Sequence, residues 1–216
     1  MPEAKLARID KDSADPSQIQ ELYADLHQGK IDIIIGTQMV AKGWDLPKLS
    51  TVGVVSADTM LYVPDFTASE RTFSLLHQVA GRAGRRQRSG IVIIQTHTPK
   101  HPTIQAAAKD DYEQFAYNEL AMRKSLAYPP YVYLLKLTCS YKSRAAARNA
   151  AEGLATQLGA NRQIQVVGPA PSFYEQQAGS FHWQLLLKCK SRSPLVKIAR
   201  EVKPPWTADL DPINIL

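Results

Sequence analysis

Apolar and polar positions follow two different rhythms along this chain, with the change near residue 130. Before it, short continuous apolar runs alternate with stretches of helical period. Lys5 to Ile9 predicts a short strand ending in an acidic turn. Ser17-Gln-Ile-Gln20 has the S-x-x-Q form of a capping box and predicts a helix that Gly29 closes. Ile31 to Ile35, Thr51 to Ser56 and Ile91 to Thr96 are runs suited to strands buried on both faces. A second capping box, Thr67-Ala-Ser-Glu70, opens a further helix. This alternation predicts an open parallel α/β sheet, in which ligands gather at the C-terminal ends of the strands.

From Pro102 to Leu126 the pattern predicts one long helix with proline in its first turn, and Pro129-Pro130 marks a boundary. Beyond it, Tyr131 to Ser140 alternates as a strand. Ser143 to Leu158 predicts a helix that buries Ala147, Ala150, Ala151, Leu154, Ala155 and Leu158 and is capped by Gly159. Ile164 to Val167, a hairpin of Ser172 to Glu175 with Phe181 to Lys190, a helix from Pro194 to Val202 and a last strand near Trp206 to Leu210 follow; with the hairpin's first arm counted as a continuation of the preceding strand, the order is βαββαβ, which is ferredoxin-like. Strand parity puts Tyr131, Tyr133, Leu135, Leu137 and Cys139 on one face with Phe181, Trp183, Leu185, Leu187 and Cys189, so these aromatics are expected in the core. The opposite face carries Lys136, Thr138, His182, Gln184, Lys188 and Lys190, interrupted only by Val132, Leu134 and Leu186. The expected domains are therefore 1–101, a connecting helix and linker at 102–130, and 131–216.

Charge sharpens this division. Residues 1–130 hold 15 Lys+Arg and 15 Asp+Glu, whereas 131–216 hold 11 and 5, so the whole net charge of +6 lies in the C-terminal part. That excess suits a polyanion partner, and solubility alone also accounts for it. On the first reading, the lysine face at Lys136, Lys188 and Lys190, with Arg144 and Arg148 nearby, is an open sheet face touching DNA phosphates; on the second it is merely solvated. The two cysteines, Cys139 and Cys189, lie in apolar alternating runs and are expected as buried free thiols. His97 and His101 are four apart, but Pro99 breaks the helix that a paired-histidine metal site would need. No apolar run approaches the roughly 18 residues of a membrane span, and the N-terminus lacks an apolar signal segment, so a cytoplasmic protein is expected.

The candidate chemistry sits at Gln78 to Arg85, Q-V-A-G-R-A-G-R. At about 100° per residue, Arg71, Ser74, Gln78, Arg82 and Arg85 fall on one stripe, opposite Thr72, Leu76, Val79, Ala80 and Ala83. A solvated basic face explains such a stripe in many helices. Two details count against it here. Gly81 and Gly84 each cost roughly 1 kcal/mol against alanine inside a helix, and each admits a close neighbour to the backbone. Arginines at i and i+3 also offer two forked donors to one phosphate. Upstream, Gly36-Thr-Gln-Met-Val-Ala-Lys-Gly-Trp-Asp45 follows a strand; Gly36 permits close approach, Thr37 offers a hydroxyl at what reads as a helix N-terminus, and Lys42 can meet a phosphate. A plain strand-to-helix turn is the alternative for Gly36-Thr37, and Trp44 reads better as packing than as a stacking platform.

The octapeptide resembles motif VI of superfamily 2 helicases, and the Gly36 to Asp45 stretch resembles their motif V. With S-A-D-T-M-L-Y-V-P-D-F-T-A-S-E-R between them and Q-T-H-T-P-K-H-P after them, the chain resembles the primosomal replication-restart DNA helicases, most strongly from about Asp32 to Pro102. The resemblance implies a partial RecA-like helicase lobe followed by a small α+β ferredoxin-like C-terminal domain. It also implies the C-terminal portion of an ATP-dependent 3′–5′ helicase that acts on forked or single-stranded DNA, with replication-restart proteins and single-strand-binding protein as partners. On this resemblance Arg82 and Arg85 reach the γ-phosphate of ATP as arginine fingers. Gly43 and Asp45 lie beside the nucleotide and the motif VI arginines, Gln78 and Asp45 couple the nucleotide to lobe closure, and Gly36, Thr37 and Lys42 line the DNA track.

The chain has no G-x-x-x-x-G-K-[ST] loop and nothing like a D-E-x-H magnesium motif; Gly29-Lys30-Ile31 lacks both the earlier glycine and the hydroxyl. Nor does it hold the cysteine-rich zinc insertion of the family. The expectation is a C-terminal fragment that does not turn over magnesium-ATP alone, with zinc bound in the missing part. A non-catalytic DNA- or protein-binding module is the alternative of another class, and an unrelated α/β enzyme with its own nucleotide site is a weaker third.

Overall fold

The structure is a computed structural model that describes residues 4–9, 16–37, 49–81, 83 and 90–216, with residues 16–19 as backbone only. The chain divides into two compact units, 1–62 with 70–115 and 63–69 with 116–216. The stretch 102–130, expected as a connection, is thus split between the two.

In the first unit, β1 (Leu6–Ile9) pairs in parallel with β2 (Ile33–Gly36), and β3 (Thr51–Val54) pairs in parallel with β4 (Ile91–Ile94). Helix α1 (Pro16–Gln28) supplies the crossover from β1 to β2, as parallel neighbours require. It starts at Pro16, whose fixed φ suits a first helical position. Ser17 therefore lies inside the first turn rather than capping it. Gly29, at φ +74, ends the helix as expected. The strands are not buried on both faces: Ile33, Ile35, Ile91 and Ile93 keep 40%, 53%, 59% and 58% of their surface. Among the described residues each ladder is a two-stranded ribbon.

The buried centre of this unit lies elsewhere. Ala57 and Leu61, at the one-turn helix α2 (Asp58–Leu61), meet Phe73 and Leu76 of α3 (Ala68–Ala80) and Ile104, Ala106, Ala107 and Phe115. The Phe73 and Phe115 rings stack at 4.2 Å. The single helix expected from Pro102 to Leu126 is two helices, α4 (Pro102–Lys109) and α5 (Tyr112–Ser125). The break is made by two adjacent aspartates. Asp110 takes the left-handed conformation at φ +56, which glycine usually fills and aspartate tolerates. Asp111 then accepts the Gln114 N–H at 2.9 Å, capping α5.

The second unit holds β5 (Tyr133–Tyr141), α6 (Arg144–Gly159), β6 (Gln165–Gln177), β7 (Ser180–Cys189), α7 (Arg192–Glu201) and β8 (Trp206–Leu210). Sheet order is β6-β7-β5-β8, antiparallel throughout, which is the ferredoxin-like arrangement the βαββαβ order predicts. β6 is one continuous strand with irregular register near Val167 to Gln176, so the hairpin's first arm continues the preceding strand as the βαββαβ count requires. Gly159 belongs to α6, whose C-cap is Ala160 with ordinary helical dihedrals, so glycine is not the stop signal here.

One sheet face is covered by the two helices: Leu135, Leu137, Leu185, Leu187 and Cys189 pack with Leu154, Ala155, Leu158, Leu195 and Ile198. Ala147 and Ala151 are fully buried, as their spacing predicts. Both thiols are free and buried, and burial pushes that of Cys139 above its ordinary pKa. The aromatic assignment fails at the strand start. Tyr131 and Tyr133 keep 42% and 43% exposure, because they precede the part of β5 that the helices cover.

Candidate nucleotide and DNA-facing residues

Helix α3 separates its faces as the period predicts, up to its last residue. Thr72, Phe73, Leu76 and Val79 are buried. Arg71 and Ser74 are exposed and Gln78 is half-buried on the opposite stripe. The helix ends at Ala80, and the Gly81 N–H still bonds to the His77 carbonyl at 2.9 Å. A Cβ on Gly81 would meet nothing nearer than 3.5 Å, so no described neighbour demands glycine there. Arg82 and Arg85 lie outside the described residues, as do Lys42, Gly43, Trp44 and Asp45.

Gly36 ends β2 opposite Ile9, and Thr37 follows it in an exposed bend. Both therefore stand at the C-terminal edge of a parallel ladder, the edge where α/β sheets collect ligands.

At the matching edge of the β3–β4 ladder the sequence reasoning missed a feature. The Asp58 carboxylate gathers three donors from beyond β4: the Thr96 hydroxyl at 2.9 Å, the His97 N–H at 3.0 Å and the Thr98 hydroxyl at 3.0 Å. Tyr62 adds a bond to Thr98 at 3.1 Å. Burial alone would raise the Asp58 pKa. The donors from His97, Thr96 and Thr98 outweigh it and hold the carboxyl below its ordinary value. His101 caps α4 by accepting the Thr103 N–H on Nδ1 at 3.2 Å, which requires that nitrogen unprotonated. Burial lowers its pKa, partly offset by the Asp58 charge. The alternation of hydroxyls in Q-T-H-T was the available signal for this knot.

The C-terminal lysines require a correction, because the sheet face that carries them is not open. The Lys188 ammonium donates to the Leu126 carbonyl at 2.9 Å and stands 3.5 Å from the Tyr128 ring centroid. The residue keeps only 6% exposure. Lys136 donates to the Leu216 carbonyl, and Gln184 Nε2 donates to the Ile215 carbonyl at 3.2 Å. Burial lowers the pKa of both lysines; for Lys136, Asp209 and Asp65 partly offset it. Leu134 and Leu186, read as interruptions of a wet face, are buried at 0% and 8%. Residues 126–128 and the segment after β8 thus cover this side of the sheet. Of the three lysines only Lys190 is exposed. Arg144 pairs with Glu175 at 2.6 Å, and Arg148 with Glu152 at 2.7 Å.

Comparison with known proteins accounts for both units. Residues 3–87 match the helicase conserved C-terminal domain, and residues 124–213 match the primosomal protein N C-terminal domain. Among curated relatives, the replication restart protein PriA of Treponema pallidum is 40% identical over 100% of this chain and 34% of its own length. That of Bacillus subtilis is 38% identical over 100% of the chain and 27% of its own length, and that of Haemophilus influenzae is 38% identical over 93% and 28%. The chain spans about a third of the length of these relatives or less. Helicase lobe and primosomal domain occur here in one polypeptide, in the order the motifs indicated, and the chain belongs to the PriA family of replication restart proteins.

Proposed function

We propose that this chain is the working C-terminal portion of an ATP-dependent DNA helicase for replication restart, and that Arg82 and Arg85 act on the γ-phosphate of magnesium-ATP bound by another lobe of the same machine. The observation that carries the reading is identity of 38–40% across the entire chain with replication restart proteins PriA, spanning the helicase and primosomal matches alike. The α3 geometry supports it, since the stripe leading to both arginines faces away from the buried side. Guanidinium groups delivered there would neutralise charge on the transferred phosphoryl group, a contribution of about 10³-fold or more in other phosphoryl-transfer enzymes.

Gly43 would lie beside the nucleotide, Gln78 and Asp45 would couple nucleotide state to lobe closure, and Gly36, Thr37 and Lys42 would follow the DNA backbone. Forked or single-stranded DNA, unwinding in the 3′–5′ sense, replication-restart proteins and single-strand-binding protein as partners, and a cytoplasmic, nucleoid-associated site of action complete the proposal. Zinc would be held by residues outside this chain. The chain alone lacks a phosphate cradle and would not hydrolyse ATP.

The test is Arg85→Ala in the full-length polypeptide. DNA-stimulated ATPase should fall at least ~10³-fold while DNA affinity is kept. Retained turnover, or magnesium-ATP hydrolysis by the 216-residue chain alone, would refute the assignment.

A further inference from the structure

β6 is an edge strand of the second unit's sheet, and its later part leaves the ladder. From Pro171 to Gln176 it takes five residue steps where β7 takes two, from Trp183 to Phe181. Residues 172–175 therefore stand against His182 alone and arch outward. Bulges of this kind re-aim side chains, and this one brings together two that a regular strand would send to opposite faces. Phe173 and Tyr174 meet edge to face, with ring centroids 5.0 Å apart and 88° between planes. They keep 52% and 66% exposure. In such a pair only one of the four ring faces is covered by the other ring, so flat aromatic surface is left open.

The arch is held at both ends. At its foot the Ser172 hydroxyl is buried without a hydrogen-bond partner. At its far end the Glu175 carboxylate accepts from Arg144 of α6 at 2.6 Å, and the Arg144 guanidinium lies 5.8 Å from the Phe181 ring centroid. An unpaired buried hydroxyl and two solvated rings both work against folding, so the arch is sustained by the frame around it.

That frame is basic. Tyr141, the β5 residue opposite Phe181, is followed by the exposed Lys142. Arg144 comes next along, and Arg148 lies one turn further on, paired with Glu152. Three cations thus stand against two carboxylates, in the part of the chain that carries the whole net charge of +6. Open ring faces beside cations match the two needs of an unpaired nucleotide, a surface for its base and a positive charge for its phosphate. An apolar peptide would use the rings but not the cations.

We propose that the 172–175 arch is a contact for single-stranded DNA, in which a base stacks on Phe173 or Tyr174 and Lys142 meets a neighbouring phosphate. The contact deepens the DNA reading above and rests on it, and its experiment separates the two.

Anisotropy of a labelled oligothymidylate, titrated with the full-length polypeptide, reads the contact. Phe173→Ala combined with Tyr174→Ala should weaken binding roughly tenfold. Phe173→Leu with Tyr174→Leu, which keeps apolar bulk without the rings, should weaken it about as much. The positions are exposed, so both pairs should melt within about 2 °C of the parent. Lys142→Ala should lower the logarithmic salt slope by about 0.7. A strand of equal length without bases should bind the parent and the alanine pair within about twofold of each other. Unchanged oligothymidylate affinity in the folded alanine pair overturns the proposal, as does an unchanged salt slope in Lys142→Ala or an equal loss on the baseless strand. Full binding by the leucine pair overturns it too and marks an apolar docking surface instead. If the unmodified polypeptide binds no single-stranded DNA, the helicase reading falls and the contact with it; if DNA binding and DNA-stimulated ATPase are present and the arch variants leave both unaltered, the arch alone is discarded.

Discussion

Lys188 and Lys190 are two positions apart and point the same way by parity, but the structure gives them opposite roles, and alanine at each separates them. Truncating Lys188 removes three buried methylenes, worth about 0.8 kcal/mol each. It also removes a charge-assisted hydrogen bond to Leu126 worth about 1.5–3 kcal/mol and a cation–π contact with Tyr128 worth about 1 kcal/mol. Relief from burying an ammonium, the same effect that lowers its pKa, returns about 3 kcal/mol. The net loss is about 3 kcal/mol, or roughly 10–20 °C in Tm for a unit of this size. Lys190→Ala, at an exposed position, should stay within about 0.5 kcal/mol. Thermal unfolding followed by circular dichroism reads both, and DNA titrations over a salt series add the functional arm. A phosphate contact at Lys190 should reduce the logarithmic salt slope by about 0.9 on duplex DNA, whereas folded Lys188→Ala should leave it unchanged. The pH dependence has a definite sign. Because the fold depresses the Lys188 pKa, the unfolded chain binds the extra proton between that value and 10.5, so the stability gap between parent and Lys188→Ala should widen as pH rises through that window. A Lys188→Ala protein melting within about 2 °C of the parent, or one with the salt slope of a lost phosphate contact, would refute the structural role.

Two further outcomes follow from the same packing. Gly168 sits at φ +101, and a Cβ there would meet the Gln184 carbonyl oxygen at 3.1 Å and the Ala170 nitrogen at 3.2 Å; Gly168→Ala should destabilise the second unit by about 2–4 kcal/mol, and a midpoint unchanged in urea denaturation would contradict this. In the first unit, the His101 pKa is depressed by burial, so stability should be at full strength above 6.5 and decline as pH falls toward the depressed value. His101→Asn retains a cap acceptor and should flatten that decline in denaturant titrations at pH 7.5 and 5.5; an identical slope would discount the histidine.

The sequence was most legible where one signal had one cause. The βαββαβ order, the buried alanines of α6 and the divided faces of α3 all follow from periodicity, which packing on one side enforces. It was least legible where contacts arrive from distant chain. Strand parity correctly set Lys136 and Lys188 opposite the helix-covered face, but parity cannot tell that Leu126, Tyr128 and the residues after β8 close that face. Asp110 illustrates a different obstacle: it takes a backbone conformation that sequence rules reserve chiefly for glycine, so one helix became two. Asp58 and Asp65 accept hydrogen bonds from partners 38 to 40 and 150 positions on, which no local pattern reveals. The candidate arginines come from residue spacing and family resemblance and lie outside the described residues; what the structure shows is the division of faces along the helix that ends at Ala80.

The seven residues on loan to the C-terminal unit make this pair of domains hard to shuffle. A gene fusion or protease cut at Tyr131 would preserve every strand and helix of the βαββαβ fold on paper. It would also strip away the Leu126 carbonyl, the Tyr128 ring and the Asp65 carboxylate, leaving Lys188 and the Ile215 amide facing solvent or each other's vacancies beside a bared leucine surface. Such a piece would travel poorly between proteins, and descent should keep it together with the helicase lobe as a single inherited block.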